Sequence, residues 1–362
     1  MSGLRAPFPW FGGKSGVASV VWRYFGDVDN YVEPFAGSLA VLLARPTVPT
    51  GAAETINDLD HYLANFWRAL QAAPEEVARY ADWPVNEDDL TARHIWLVNA
   101  GRQRLERIPA DPDFYDAKIA GWWVWGICSW IGSGWCSGAG PWQNVDGVLT
   151  KVERGGVRRK LPHLGDAGQG INRKLPHLGS AGQGINRKRP HLGDAGQGIN
   201  RNRPHLGDAG QGQCATWTEH LQGIMRELAD RLRRVRVCCG DWQRVVTAGA
   251  LSYGATVGVF LDPPYAAETG RNMHLYNHET EVSAAVRAWA IANGDNPRYR
   301  IALCGYAGEH DMPDDWQVET WTARASYKTH RGDKTGNRTR ERIWFSPACS
   351  AQPLLGLMER NA

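Results

Sequence analysis

The apolar run Val257–Phe260 is followed by Leu261-Asp262-Pro263-Pro264-Tyr265, and this stretch constrains the fold most. Two successive prolines lack N–H groups, so a central strand must stop there. A buried strand that ends at polar residues is typical of a parallel sheet, whose carboxyl ends border the ligand crevice. A turn that merely ends the strand, without a ligand site, would require only the two prolines. The added Asp262 and Tyr265, with the free proline carbonyls, favour a site for a planar group that carries an amino donor.

Strand-like and helix-like segments alternate on both sides of a middle region of different composition. Within residues 28–43 we predict a short strand, a turn and the start of a helix. Further strands are predicted up to Asn57 and at 235–242, 256–265, 298–306 and 341–347, and helices from about His61, at 87–107, 217–235 and 279–293. This alternation predicts an α/β sheet domain that is interrupted by an insertion.

Two further motifs lie in the N-terminal part of the chain. Glu33-Pro34-Phe35-Ala36-Gly37-Ser38 forms the first strand-to-helix turn, where Gly37 permits close backbone approach and the helix N-terminus favours an anionic group. Asp58 ends the next strand, where an acidic residue can accept hydrogen bonds from ribose hydroxyls. Trp10-Phe11-Gly12-Gly13-Lys14 suggests the phosphate loop of a nucleoside triphosphatase. We reject this interpretation, because Phe8 stands where that motif requires its first glycine.

The middle region combines two unusual segments. Residues 121–144 are rich in glycine and tryptophan, unlike a regular element, and the tryptophans are either stacking surfaces for a ligand or part of the core. A 14-residue unit, PHLGDAGQGIN with small variations, then begins at Pro162, Pro176, Pro190 and Pro204. From Lys151 to Gln213 there are twelve Lys/Arg and four Asp/Glu, a local net charge of +8 in a chain whose total is +3. This charge favours contact with a polyanion, and an expansion with little function is the alternative.

Cysteine usage and hydropathy exclude several classes of protein. The seven cysteines are scattered, without the paired spacing of a disulfide framework or a zinc site, so we expect a reducing cytoplasm and no metal. No apolar run is long enough for a membrane span or a secretory signal, so we expect no membrane association.

The order FGGK, VEPFAGS, GDW and LDPPY resembles the Dam-type, or alpha-group, DNA adenine methyltransferases. The resemblance covers about residues 1–60 and 214–347. It implies a Rossmann-like methyltransferase sheet with an inserted, largely helical or irregular target-recognition region at 61–213, which includes the repeats at about 159–214, and a C-terminal tail at 348–362. It also implies S-adenosylmethionine as cofactor and double-stranded DNA as partner, in a bacterial or phage-infected cell. We expect a monomer, with a dimer as the alternative.

The family motifs carry their roles over to matching residues. The resemblance implies that Asp262, Pro263, Pro264 and Tyr265 are catalytic. It implies cofactor contacts at Trp10, Phe11, Gly13, Lys14, Glu33, Pro34, Phe35, Gly37, Asp58 and Asp241, the last in Gly240-Asp241-Trp242. Leu39 stands where many relatives have a second glycine, which predicts a differently shaped cofactor loop.

The expected DNA contacts lie in two basic segments. Arg159, Arg173, Arg187 and Arg201 recur in register through the repeats, and the late basic element supplies Lys334, Asn337, Arg338 and Arg340. A flipped adenine would reach the catalytic motif. Three alternatives stay open: methylation of cytosine N-4, for which Asp262 would more often be Ser; methylation of RNA; and a catalytically inactive DNA-binding protein of the same fold.

Overall fold

The computed structural model describes residues 4–10, 12–130, 135–136, 142–145, 148–151, 217–264, 273–321 and 341–349. Seven strands form one sheet in the order β5-β2-β1-β6-β7-β9-β8. They are β1 (Asn30–Glu33), β2 (Ala53–Asp58), β5 (Val235–Cys239), β6 (Val257–Leu261), β7 (Tyr299–Tyr306), β8 (Gln317–Thr320) and β9 (Glu341–Phe345). Strands β3 (Trp142–Val145) and β4 (Val148–Lys151) form a separate antiparallel hairpin.

The first five strands of the sheet order are parallel, and β9 runs antiparallel to both β7 and β8. Every residue of the central strands β1 and β6 is buried, as expected for a sheet that is covered on both faces. The predicted α/β, Rossmann-like sheet is therefore confirmed. β8 was not predicted, because three of its four side chains are exposed and give no apolar signal.

Nine α-helices flank the sheet or build the inserted region, within the residues described. They are α1 (Ala18–Phe25), α2 (Ala40–Leu43), α3 (His61–Ala72), α4 (Pro74–Ala81), α5 (Glu87–Trp96), α6 (Arg102–Leu105), α7 (Ala117–Ser129), α8 (Trp217–Leu232) and α9 (Met273–Gly294). A π-helical turn, Leu97–Gly101, joins α5 to α6. α3 packs against β2 and β5 and also against α7, so it connects the sheet with the inserted helices. The domain boundaries at residues 60 and 214 stay a prediction.

The Gly/Trp-rich segment is more regular than its composition suggests. Residues 121–129 belong to α7, so the expectation of an irregular element was wrong there. Trp123, Trp125 and Trp135 are buried, and Trp122 and Trp130 are half-buried. These rings are therefore part of the core. Gly121 lets α7 pack closely against α4, and Gly126 leaves room for the ring of Trp135.

Within the described residues, no helix combines the length and apolar character that crossing a bilayer requires.

Candidate active site

The carboxyl ends of four neighbouring parallel strands form one edge, and the predicted motifs follow these ends. In the order of the sheet they are Asp241 after β5, Asp58 at the end of β2, the loop 34–38 after β1 and Asp262 after β6. Ligands of open parallel sheets bind at this edge. Segments that are up to about 200 residues apart in the chain thus contribute to one crevice.

Lys14 and Asp262 form an ion pair at the centre of this edge. The Lys14 Nζ lies 2.9 Å from Asp262 Oδ1, and the two side chains are 5% and 20% exposed. Burial is the largest single influence on the pKa of the Lys14 ammonium and lowers it, but Asp262, Cys304 and Glu341 together outweigh burial, so the pKa lies above its ordinary value. The N-terminal motif therefore reaches the catalytic motif, although about 250 residues separate them in sequence.

Two further contacts hold Lys14 in place. Its ammonium donates a hydrogen bond to the Gly12 carbonyl at 2.9 Å, and the ring of Trp321 lies 5.9 Å from the Nζ. Trp321 also faces Gly16, where an added Cβ would lie 3.6 Å from the indole. Sequence reasoning missed Trp321, because it stands alone at the end of an exposed strand.

The loop after β1 is shaped by close packing around Gly37. Gly37 has φ +49°, and a Cβ on it would lie 2.6 Å from the Trp10 Nε1. Its N–H donates to Asp58 Oδ2 at 3.0 Å, and its carbonyl accepts from Trp67 Nε1 at 3.3 Å. Trp10 and Gly37 are thus in contact, and only glycine fits at position 37.

Leu39 adopts a left-handed conformation, with φ 55° and ψ 27°. Glycine adopts this conformation readily and other residues adopt it rarely. The predicted difference in the shape of the cofactor loop stays a prediction. Leu39 is fully buried, and its packing offsets the backbone strain. The following helix α2 has only four residues, so the predicted attraction of an anion to its N-terminus has little support.

Asp58 organises the loops with both of its carboxylate oxygens. Besides the Gly37 N–H, it accepts the N–H of Asp60 at 2.9 Å. Burial raises the pKa of Asp58 to about 6, and the two backbone donors counteract part of this rise. Asp60 is the N-cap of α3 and accepts the N–H of Tyr62 at 2.8 Å. A ribose contact of Asp58 stays a prediction.

Asn57 is a structural centre of the site that sequence reasoning missed. It is 1% exposed, and its Nδ2 donates to the carbonyls of Pro34 and Gly240 at 3.1 and 2.9 Å. Its Oδ1 is buried without a hydrogen-bond partner among the described residues. Asn57 thereby joins the ends of β1, β2 and β5. The sequence signal that could have indicated this role of Asn57 is an amide side chain near the end of the strand Ala53–Asp58.

The loop after β5 contributes a polar residue beside an aromatic pair. Asp241 is exposed and caps a short 3-10 helix, Trp242–Val245, by accepting the Gln243 N–H at 2.8 Å. Phe35 and Trp242 stack with ring centroids 6.1 Å apart and planes 29° apart. Phe35 therefore joins its own loop, after β1, to the loop that follows β5.

Glu33 is placed in the core instead of in the crevice. It is 2% exposed and accepts a hydrogen bond from the Tyr31 hydroxyl at 3.0 Å. The pKa of Glu33 is raised to about 8, mainly by burial; the Tyr31 hydrogen bond counteracts a part of this rise, and the negative charge of Asp262 contributes to it. A cofactor contact of Glu33 stays a prediction.

Glu33→Gln is expected to make the protein less sensitive to high pH. Because the folded pKa is raised, the folded state holds the proton more tightly, and stability is lost as the pH rises from the unfolded pKa through 8. Between pH 6 and pH 9, the free energy of unfolding of Glu33→Gln should therefore rise by about 3 kcal/mol relative to the wild type. Urea unfolding at four pH values measures this difference, and a constant difference across the range would contradict the prediction.

Several predicted residues lie outside the described part of the chain. They are Phe11, Tyr265, Arg159, Arg173, Arg187, Arg201, Lys334, Asn337, Arg338 and Arg340. Of the catalytic motif the structure describes Asp262, Pro263 and Pro264; Pro263 is buried and Pro264 is exposed. Gly13 lies beside the loop after β1, since a Cβ on it would approach Ser38 Oγ to 3.8 Å.

Comparison with known families identifies one match. Residues 10–94 match the family model of the D12 class N6 adenine-specific DNA methyltransferases. The matched range includes Trp10, Lys14, the loop after β1, Asp58 and the helices α3 to α5 up to residue 94. No curated protein matches the chain.

Proposed function

We propose that this chain, which is a DNA adenine methyltransferase of the D12 class, transfers the methyl group of S-adenosylmethionine to the N6 amino group of an adenine that is flipped out of double-stranded DNA. The observation that carries the proposal is the Lys14–Asp262 pair at the edge where the loops after β1, β2 and β5 also end. The family match covers the cofactor side of this edge, and the Asp262 motif supplies the other side.

The edge has the features that a nucleoside cofactor requires. Asp58, Asp241 and the loop 34–38 offer acceptors in a row at this edge. The unpartnered Oδ1 of Asn57 is a further acceptor beneath these loops. We assign the cofactor to Trp10, Gly13, Lys14, Phe35, Gly37, Asp58 and Asp241. When bound, S-adenosylmethionine supplies a methyl group on a sulfonium, which is a good leaving group.

The chain's own contribution to the chemistry is positioning. The lone pair of an adenine amino group is delocalised into the ring, so this nitrogen is a poor nucleophile. A carboxylate oxygen of Asp262 and the carbonyl of Pro263 can accept its two N–H groups and favour a tetrahedral nitrogen. Because proline has no N–H, the strand end presents acceptors without a competing backbone donor there. The ammonium of Lys14 holds the Asp262 carboxylate in one orientation.

Access to the base requires energy from DNA contacts elsewhere. Extrusion of a base costs a few kcal/mol of unstacking, and the repeat arginines together with Lys334, Asn337, Arg338 and Arg340 are proposed to supply phosphate contacts. Tyr265 is proposed to stack on the flipped adenine. Oligomeric state and recognition sequence are separate questions, which the proposal does not require.

Expression in a methylation-deficient bacterial host tests the proposal. We expect N6-methyladenine in the host DNA when modified bases are mapped by single-molecule sequencing. The same reads detect N4-methylcytosine, and an in vitro assay with matched DNA and RNA duplexes separates the RNA alternative. Unmodified adenine in the presence of soluble, folded protein would refute the proposal.

A further inference from the structure

The strand β7 runs beside the catalytic motif and extends past the end of β6. The register pairs Leu261 with Leu303, and β7 continues for three more residues, to Tyr306. If the ladder continued in the same register, Pro263 would stand opposite Gly305. The last residues of β7 therefore lie next to the strand end to which the proposed function assigns the adenine amino group.

The hydrogen-bond pattern of this ladder determines which groups of β7 face Pro263. The Val257 N–H donates to the carbonyl of Arg298, one residue before its partner in the register, at 2.8 Å. The same relation recurs at every second residue of a parallel ladder, so an N–H at position 263 would donate to the Cys304 carbonyl. The carbonyl at position 263 would likewise accept the Tyr306 N–H. Proline removes the first of these bonds, and its carbonyl is fully available to a ligand only if Tyr306 donates elsewhere.

His310 supplies the donor that Pro263 lacks. Its Nε2 lies 3.3 Å from the Cys304 carbonyl oxygen, and since a carbonyl only accepts, this nitrogen carries the proton. Both residues are buried, and a buried carbonyl without a donor would be costly. Burial lowers the pKa of the His310 imidazole, so the ring is neutral near pH 7 and the Nε2 proton is its only N–H.

Glu309 binds the other group of β7 that would pair with Pro263. Its Oε2 accepts the Tyr306 N–H at 2.9 Å, and its Oε1 accepts the hydroxyl of Ser283, in α9, at 2.8 Å. The Glu309 N–H donates to the Tyr306 carbonyl at 3.0 Å, which closes a tight turn that contains Gly308 at φ +84°. The N–H that could occupy the Pro263 carbonyl is thereby bonded to a side chain.

A missing side chain lets both residues reach back over the strand. A Cβ on Gly305 would lie 2.6 Å from His310 Nε2 and 3.2 Å from Glu309 Oε2. The loop 306–310 can therefore fold onto the end of β7 only because position 305 is glycine.

We propose that Glu309 and His310 are positioning residues for methyl transfer, which together replace both ladder partners of Pro263 and keep its carbonyl available for the adenine amino group. This inference deepens the proposed function and rests on it, because adenine is taken as the group that binds this carbonyl. Without Glu309, the Tyr306 N–H would turn to the Pro263 carbonyl and compete with the base. Without His310, the Cys304 carbonyl would be a second acceptor beside the first.

Two apolar full-length variants remove one contact each, and two glutamine variants retain it. Glu309→Met has no acceptor and His310→Leu has no donor, whereas Glu309→Gln keeps an acceptor and His310→Gln keeps an N–H donor. Each apolar variant should lower kcat for methylation of duplex DNA about tenfold, as for the loss of one hydrogen bond that orders the site. Each glutamine variant should stay within about threefold of the wild type. The KM for S-adenosylmethionine should change by less than about twofold in all four, because the cofactor is assigned to other strand ends.

Ser346→Ala is the matched control at the other end of β7. The Ser346 hydroxyl accepts the Ile301 N–H at 3.0 Å and donates to the Tyr299 carbonyl at 3.2 Å, so this variant also removes hydrogen bonds between a side chain and the strand. It should lower the melting temperature and leave kcat within about twofold. Rates are expressed per cofactor-binding site, counted by calorimetry, so that unfolded protein does not enter the comparison.

Wild-type kcat in Glu309→Met and His310→Leu would overturn the inference, and so would an equal loss in the glutamine variants or in Ser346→Ala. Nitrogen NMR of the imidazole adds a readout that needs no turnover. We expect the Nε2-protonated tautomer of His310, and the Nδ1-protonated tautomer would contradict its contact with Cys304. If an apolar variant does not fold, this readout and the glutamine variants decide. A wild type that methylates no adenine would refute the proposed function, whereas an active wild type with equally active apolar variants would overturn this inference alone.

Discussion

Asp262→Asn is expected to lower kcat for DNA methylation about 1000-fold, at the upper end of the effect of removing one preorganised electrostatic contact. The amide keeps the shape of the carboxylate but loses its charge, and one of its two positions becomes an N–H₂ donor that opposes the adenine amino group. Initial rates of tritium transfer from labelled S-adenosylmethionine to duplex DNA measure the effect. Binding of the cofactor, followed by calorimetry, should change by less than about threefold, since Asp58, Asp241 and the loop after β1 are intact.

The Lys14–Asp262 pair provides the control for this prediction. Asp262→Asn leaves the Lys14 ammonium 5% exposed and without its closest carboxylate, so the variant should be destabilised by roughly 3 kcal/mol. Adding Lys14→Met should restore much of that stability and none of the activity. If the double variant regained methylation, stability and not chemistry would explain the loss, and the catalytic assignment of Asp262 would be wrong.

Gly121→Ala is expected to destabilise the protein by about 2 kcal/mol. A Cβ at this position of α7 would lie 2.3 Å from the Tyr80 Cβ and 2.7 Å from the Val77 carbonyl oxygen, both on α4. Backbone atoms of a packed helix cannot move aside as a side-chain tip can, so the two helices must separate. Overpacking costs about 1–3 kcal/mol and occasionally more. The gain of roughly 1 kcal/mol from better helix propensity offsets only a part of this cost.

Gly223→Ala, in α8, is the matched control. No atom lies within 4 Å of a Cβ at this position, so the same substitution should stabilise the protein by about 0.5–1 kcal/mol. Urea unfolding of both variants at pH 7 compares them directly. Equal changes in the two variants would show that the close approach of α7 to α4 is absent in solution.

The motifs at the strand ends were accessible from the chain alone, because each combines a strong local signal with a simple rule of topology. Buried runs such as Val257–Leu261 have a clear apolar pattern, and parallel strands bring their carboxyl ends to one edge. Asp58 and the loop after β1 followed from the same rule. The pattern of α7 was misjudged, because tryptophans separated by glycines suggest a loop until the partner helix α4 explains the missing side chains.

Other features depend on contacts between residues that are distant in sequence. The pairing of Lys14 with Asp262 and the role of Asn57 between three strand ends have no local signature. Glu33 illustrates the same limit, since its motif position gave no sign that its carboxyl would be buried and accept a hydrogen bond from Tyr31. A residue's type and spacing do not reveal which direction its side chain takes once the sheet is covered.

The amino-acid sequence by itself therefore determined the parallel part of the sheet and the order of the motifs, because hydrophobic periodicity and strand-ending residues act locally. The resemblance of those motifs to a known family implied the class of reaction. The tertiary structure alone decided which charges meet and which polar atoms are buried. Those properties arise from the packing of distant segments, in which a shift of one residue or one helical turn changes every contact.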